Sequence, residues 1–300
     1  MLRRGRGDDS LVALTNAVER QRVALLRLRS SEWVLLVYFT YTALLSVSFG
    51  LDFWRIALAL AVPVLLLAMA WADEWYGRDS TSIVRDWVSV PLVLAAYWQT
   101  DWFQSGRRLL SLEESWLDWD RTILYQWGLR AVVERLALPS LLEASYTLLY
   151  SIPPLSVAAI YWYRRRDRLD RFLFPFLVGT LLAYGLLPYF PTESPYLQFP
   201  GQDLPSAMTI FRRLNLWILA KGDIHTSVFP SGHVAIAFSA AFSMLWAIPE
   251  RKRLGYALLV LAVLIATATV YGRYHYAADV LASFLLSLAA IAIAQVVHRG

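Results

Sequence analysis

Val228-Phe229-Pro230-Ser231-Gly232-His233 runs directly into Val234-Ala235-Ile236-Ala237-Phe238-Ser239-Ala240-Ala241-Phe242-Ser243-Met244-Leu245-Trp246-Ala247-Ile248. The second part carries no charge, and together they are long enough to cross roughly 30 Å of hydrocarbon at about 1.5 Å of rise per residue. The same arrangement recurs downstream. Residues 254–270 are apolar, and Arg273-Tyr274-His275-Tyr276-Ala277-Ala278-Asp279 leads into a last apolar run at 277–297. Working outward, runs of this kind lie at 33–49, 53–72, 141–162 and 172–190, with a weaker one at 87–103 interrupted by Pro91, Gln99 and Asp101. The chain is 58% hydrophobic with a mean hydropathy of +0.45, above the roughly 45–50% apolar content of soluble domains. These features predict an all-α, polytopic membrane protein of about eight transmembrane helices (six to eight).

Ahead of the first run, residues 9–29 place Leu11, Leu14, Val18, Leu25 and Leu28 on one helical face, with Ser10 able to cap the start. This predicts an amphipathic helix in the headgroup layer, with a solvated helical tail as the alternative. About 32 residues before the first run are too many for a cleavable signal peptide, so that run is read as a retained anchor. The net charge of +5 is spread over short loops, which points to membrane orientation and away from nucleic acid. There is no cysteine, which excludes disulfides and thiolate metal sites.

Arginines at 3, 4, 6, 20, 22, 27 and 29, the run Arg164-Arg165-Arg166, and Arg251-Lys252-Arg253 should all face the cytoplasm. They agree only if 87–103 crosses, giving eight spans with both termini cytoplasmic. His233 and His275 then share the outer face with the loops 104–139 and 191–227. The chain divides into a cytoplasmic segment at 1–32, membrane helices with an interfacial loop at 33–140, and a catalytic helical core at 141–300. Within the interfacial loop, Leu112, Trp116, Trp119, Ile123 and Trp127 fall near helical spacing, a helix lying flat on the outer surface.

The polar residues at the mouths of the last spans carry the chemistry. Pro230 suits the first turn of a helix, Thr226 or Ser227 can cap it, and the free N–H groups of Ser231, Gly232 and His233 would face an anion at the positive end of the dipole. An ordinary helix start would look the same from four residues. His275 and Asp279, spaced i, i+4, fall within hydrogen-bonding reach on one face. An ionised Asp there fixes the imidazole tautomer and leaves the other nitrogen as nucleophile or base, although a structural His–Asp pair fits the same spacing. Arg273 is positioned to neutralise a phosphate. Lys221, Arg212 and Arg213 share that outer side, each alone reading as a snorkelling interfacial cation.

Pro-Ser-Gly-His followed by His-x-x-x-Asp at a later span start resembles the phosphatidic acid phosphatase type 2 superfamily. The stretch 270–280, and the proline-rich run Pro188-Tyr189-Phe190-Pro191-Thr192-Glu193-Ser194-Pro195, are similar to its inositolphosphotransferase branch, which includes inositol phosphorylceramide synthases. The resemblance covers about residue 141 to the end. It implies that His275 attacks phosphorus, Asp279 orients it, and His233 protonates the leaving oxygen and then activates water or an acceptor hydroxyl. Ser231 and Gly232, with Arg273 and Lys221, would hold phosphate oxygens, and no metal or other cofactor is implied. Two family signatures are absent: Ala268-Thr269 stands where the phosphatases carry Ser-Arg, and Arg78 and Arg85 have the first-signature spacing without its proline. Both absences favour the transferase branch over a lipid phosphate phosphatase; a non-catalytic transporter or scaffold is the reading from another class. The implied substrates are membrane lipids, and the implied location is a cell inner membrane with the site on its periplasmic or outer face.

Overall fold

The computed structural model describes residues 28–76, 79–104 and 108–298. Small side chains decide how its central helices meet. A Cβ on Gly179 would lie 2.1 Å from Ser239 Oγ and 3.3 Å from Ala290 Cβ, so α9 (Leu169–Leu186), α12 (Gly232–Ala247) and α14 (Ala277–Val297) touch almost backbone to backbone. Ser239 donates to Ser287 at 3.0 Å across this contact, and Ala237, Ala240 and Ala241 are fully buried beside it. Close approach through Gly, Ala and Ser is how helices associate where lipid removes the hydrophobic drive between them.

Around this centre stand α1 (Ser30–Ser48), α2 (Phe53–Tyr76), α3 (Asp79–Trp87), α4 (Ser89–Thr100), α7 (Pro139–Leu148), α8 (Ile152–Trp162) and α13 (Lys252–Tyr271). Three more helices, α5 (Leu110–Arg121), α6 (Leu129–Arg135) and α11 (Ile210–Gly222), with the single turn α10 (Pro195–Gln198), belong to the connecting segments. No strand occurs among the described residues. Large apolar side chains such as Val37, Leu58, Val64, Leu155, Val260 and Leu285 stand exposed along the outer faces, as lipid-facing residues do.

Among the described residues, five helices are long and apolar enough to cross a membrane: Ser30–Ser48, Phe53–Tyr76, Arg166–Tyr189, Pro249–Tyr271 and Ala277–Val297, with Gly232–Ala247 apolar but shorter. The chain is an integral membrane protein. The runs expected at 87–103 and 141–162 are helical but segmented. The first breaks at Val88 before Pro91, and the second passes through a 3-10 turn at Leu149–Ser151 just ahead of Pro153 and Pro154. The amphipathic helix expected at 9–29 lies almost wholly outside the described residues.

One end of the bundle is tied by charge. Asp86 accepts from Arg29 and Arg166 at 2.5 Å and from Tyr161, and Arg85 bridges Glu32 and Asp73 at 2.7 and 2.6 Å. Asp170 accepts from the N–H groups of Ser30 and Ser31, and Arg165 pairs with Glu250 at 2.9 Å. Three basic clusters far apart in sequence therefore meet at one end. Arg85 is committed there, and Arg78 lies outside the described residues. The opposite end holds the starts of α12 and α14 and the segments Leu109–Leu138 and 190–230, and both histidines are there.

Candidate active site

Helix α12 begins at Gly232, not at Pro230. Ser231 is its N-cap, its Oγ accepting the Val234 N–H at 3.3 Å, and Pro230 precedes the cap through a cis peptide bond. The caps expected of Thr226 and Ser227 are used elsewhere: Thr226 donates to Thr100 O at 2.7 Å, and Ser227 to Phe190 O. Ser231 O accepts from Ser283 Oγ at 2.9 Å, and its N–H faces Asp279 O at 3.4 Å. Ser231 therefore joins α12 to α14, while the first-turn amides of Gly232 and His233 have no intrahelical acceptor. A Cβ on Gly232 would meet Tyr184 Cε1 at 2.7 Å, so this glycine makes room for an aromatic ring.

Asp279 starts α14 and caps it, its Oδ2 accepting the Tyr276 N–H at 3.0 Å. The same oxygen lies 3.1 Å from His275 Nδ1, and Val228 O lies 3.0 Å from that nitrogen. Two acceptors around Nδ1 require the proton there, which leaves Nε2 with the lone pair. His275 Nε2 is 3.4 Å from His233 Nδ1, and His233 Nε2 is 3.2 Å from the Tyr146 hydroxyl. One consistent assignment follows: His233 Nδ1–H donates toward His275 Nε2, and Tyr146 O–H donates to His233 Nε2. His233 also stacks on Tyr146 at 4.8 Å, and Tyr146 on Tyr274 at 4.5 Å.

Arg273 is fully buried at positive φ (65°), a region costly for a side chain and tolerated where the surroundings fix it. Its Nη1 pairs with Asp120 Oδ2 at 2.5 Å, and Asp120 Oδ1 accepts the Ala277 N–H at 2.8 Å. Its Nε and Nη2 have no partner among the described residues. Burial pushes the Asp120 carboxyl up to about 6, against the opposing pull of Arg273 and the Ala277 amide. Asp120 belongs to α5, the helix expected to lie flat on the surface. That helix packs over the site, with Trp116 stacked on Phe229 at 4.9 Å and near Tyr276 at 5.6 Å.

Arg212 is no interfacial cation. It is buried, pairs with Glu143 Oε1 at 2.9 Å and donates to Gly272 O at 3.1 Å. Glu143 Oε2 accepts from Asn215 Nδ2 at 2.8 Å and Tyr274 O–H at 2.7 Å. Burial and that carboxylate push the Tyr274 phenol up, so it stays a donor. Lys221 is exposed on α11 and does not line the cavity around the histidines. His225 is exposed, and His298 packs against Phe174 and Trp246 at the opposite end.

Both histidines line an enclosed cavity of about 20 Å³, together with Tyr97, Tyr146, Asp223 and Gly232. From His233 a second, apolar cavity of about 260 Å³ runs between α4, α8 and α12 past Leu94, Pro153 and Ile236. Sequence reasoning missed Glu143, Tyr146, Asp120 and Asp223. Glu143 carried a signal, since an ionisable residue just inside an apolar run needs a partner.

The family model for the PAP2 superfamily matches residues 109–293. The chain belongs to the PAP2 superfamily. The match includes both histidine motifs and begins at 109, so it takes in α5 as well as the region from 141 onward. A PA-phosphatase related-family protein of Dictyostelium discoideum is 30% identical over 130 residues, which covers 41% of this chain and 22% of that protein. The chain thus matches about a fifth of that relative's length. No solved structure matches. PAP2 membership makes this a membrane enzyme family member of the phosphatase and phosphotransferase kind.

Proposed function

We propose that the protein transfers a lipid-linked phosphate group to a hydroxyl acceptor through a phosphohistidine on His275, most like an inositolphosphotransferase. One observation carries this reading: His275 Nδ1 is held between Asp279 Oδ2 and Val228 O, so Nε2 is the nucleophilic nitrogen, and it faces His233. His275 Nε2 attacks phosphorus, the lipid oxygen leaves, and His233, protonated at both nitrogens once the anionic phosphate is bound, supplies its proton. Asp279 stabilises the imidazolium-like charge that develops on the ring. The amides of Gly232 and His233 and the free Nε–Nη2 edge of Arg273 are the donors proposed to meet phosphate oxygens, with Ser231 fixing the turn that presents those amides. Lys221 would require movement to take part.

The apolar cavity reached from His233 supports a lipid as donor, since it offers a chain a place continuous with the reacting centre. The shared end of the basic clusters supports eight spans with both termini cytoplasmic and the site on the outer or periplasmic face of a cell inner membrane. Release of phosphate to water is the second reading, favoured by the name of the Dictyostelium relative. The test uses purified protein, a lipid labelled in its phosphate, and polyol acceptors present or absent. Expected are acid-labile label on the protein, its loss in His275→Ala, and a labelled acceptor product. Turnover that survives His275→Ala with no protein-bound label would refute the mechanism, and phosphate release indifferent to every acceptor would leave the hydrolase.

A further inference from the structure

Asp223 follows α11 and lines the same enclosed cavity as His233 and His275. Its Oδ1 accepts the Tyr97 hydroxyl at 2.6 Å and the Ile224 N–H at 3.0 Å. Its Oδ2 has no hydrogen-bond partner among the described residues. Burial pushes this carboxyl up from its ordinary value, against the hydrogen bonds from Tyr97 and Ile224 and the nearby His275. No arginine or lysine lines the cavity, and Asp223 is its one acidic residue. Like charges repel most strongly where water is excluded, so this carboxylate is not placed to bind the phosphate itself. The free oxygen suits a group that brings a donor.

That donor is either a hydroxyl or a cationic amine, and the aromatic faces discriminate. Recognition of an ammonium group by tyrosines requires open ring faces. Here Tyr146 is covered by His233 on one side and Tyr274 on the other, and Arg212 sits over Tyr274 at 5.4 Å. What the cavity wall keeps available is hydroxyl and carboxylate oxygen, the lining of a polyol site.

We infer that Asp223 is the acceptor-binding residue, its free Oδ2 holding one hydroxyl of a polyol while a neighbouring hydroxyl is presented to phosphorus. This rests on the phosphohistidine reading of His275. The acceptor oxygen forms its bond to phosphorus as the Nε2–P bond breaks, the electron pair returns to the His275 ring, and the hydroxyl proton passes to His233. Polyols therefore outcompete a monohydric alcohol, which lacks the second hydroxyl.

The experiment measures how one labelled intermediate partitions. Purified full-length protein is given phosphate-labelled lipid in detergent with glycerol, myo-inositol, ethanol or ethanolamine, and the ratio of transfer product to free phosphate is read. Both products come from the same intermediate, so the ratio does not depend on how much of a variant folds. Loss of a hydrogen bond to a charged group lowers the polyol ratio on the order of 10- to 100-fold in Asp223→Asn. The exposed Asp118→Asn leaves the ratio unchanged. An unchanged ratio in Asp223→Asn, with wild-type protein transferring and His275 labelled, overturns the Asp223 assignment and leaves the reading of His275 standing. Ethanolamine preferred over polyols overturns it too, in favour of an amine. Wild-type protein that labels His275 but releases only phosphate overturns the acceptor site alone, and absence of label on His275 overturns the reading beneath both.

Discussion

Replacing Glu143 by leucine tests whether the site is held by a buried ion pair. The Glu143 and Arg212 side chains are 2% and 4% exposed, and the carboxylate takes three side-chain donors, Arg212 at 2.9 Å, Asn215 at 2.8 Å and Tyr274 at 2.7 Å. Without it the guanidinium keeps only the Gly272 carbonyl and a 3.4 Å contact to Tyr274, at a depth where an unpaired charge is costly. Removing one partner of such a pair costs about 3–5 kcal/mol, whereas removing both is near neutral because the desolvation cost disappears with the charges. Glu143→Leu should therefore be much less stable than the Glu143→Leu/Arg212→Leu double variant, with a coupling energy of at least about 3 kcal/mol, the single loss that the double escapes. Unfolding of the four members of the cycle in detergent micelles, followed by tryptophan fluorescence against SDS, gives that number. Additive effects, with the double variant as unstable as the sum of the singles, would refute the reasoning. The same loss should reach activity, because Tyr274 stacks on Tyr146 and Tyr146 on His233.

Three further outcomes are expected. His275→Ala should abolish phosphoenzyme formation, and His233→Ala should slow it by about 10²–10⁴-fold, the usual worth of a positioned acid or base, measured by rapid quench of labelled lipid. Asp120 titrates in the fold near 6, above its unfolded value near 3.8. The folded state thus binds this proton more tightly, and the stability it contributes is present below about pH 4 and lost as pH rises to about 6; Asp120→Asn should flatten that slope in unfolding curves measured from pH 4 to 7. Gly179→Ala places a methyl 2.1 Å from Ser239 Oγ and should cost about 1–3 kcal/mol in the same micelle assay, with Ser239→Ala restoring most of it.

The helical membrane fold was legible because lipid imposes one solution on long apolar runs. The two runs that came out segmented, at 87–103 and 141–162, break just ahead of Pro91 and of Pro153-Pro154, whereas Pro63 and Pro175 sit inside unbroken helices, so the hydropathy of a run does not tell where a proline will interrupt it. The Ser-Gly-His and His-x-x-x-Asp spacings were legible because they are local, and the fold brings His275 within hydrogen-bonding distance of both His233 and Asp279. Arg273 was legible as a residue but not in its partnership, since Asp120 lies more than 150 positions away and nothing near either predicts the meeting. Asp223 and Tyr146 were hidden for the same reason. Each contributes one polar atom to a cavity built by several segments, and no periodicity marks such a residue. Arg212 was misjudged because an arginine in an outer loop and an arginine in a buried pair look alike until Glu143 is placed.

The closeness of His233 and His275 limits what can stand between them. With His275 Nε2 and His233 Nδ1 at 3.4 Å and a cavity of about 20 Å³, no phosphoryl group fits between them, so loading requires one ring to move. His275 is held at Nδ1 by two acceptors, both belonging to the backbone turn and helix start that also carry Ser231. His233 is held by a single hydroxyl and by stacking on Tyr146, contacts that tolerate a ring rotation. Of the two rings His233 is therefore the less tightly held. That difference fits the covalent transfer proposed above, in which the attacking atom would keep its direction through two opposite displacements and the proton carrier would serve two different oxygens.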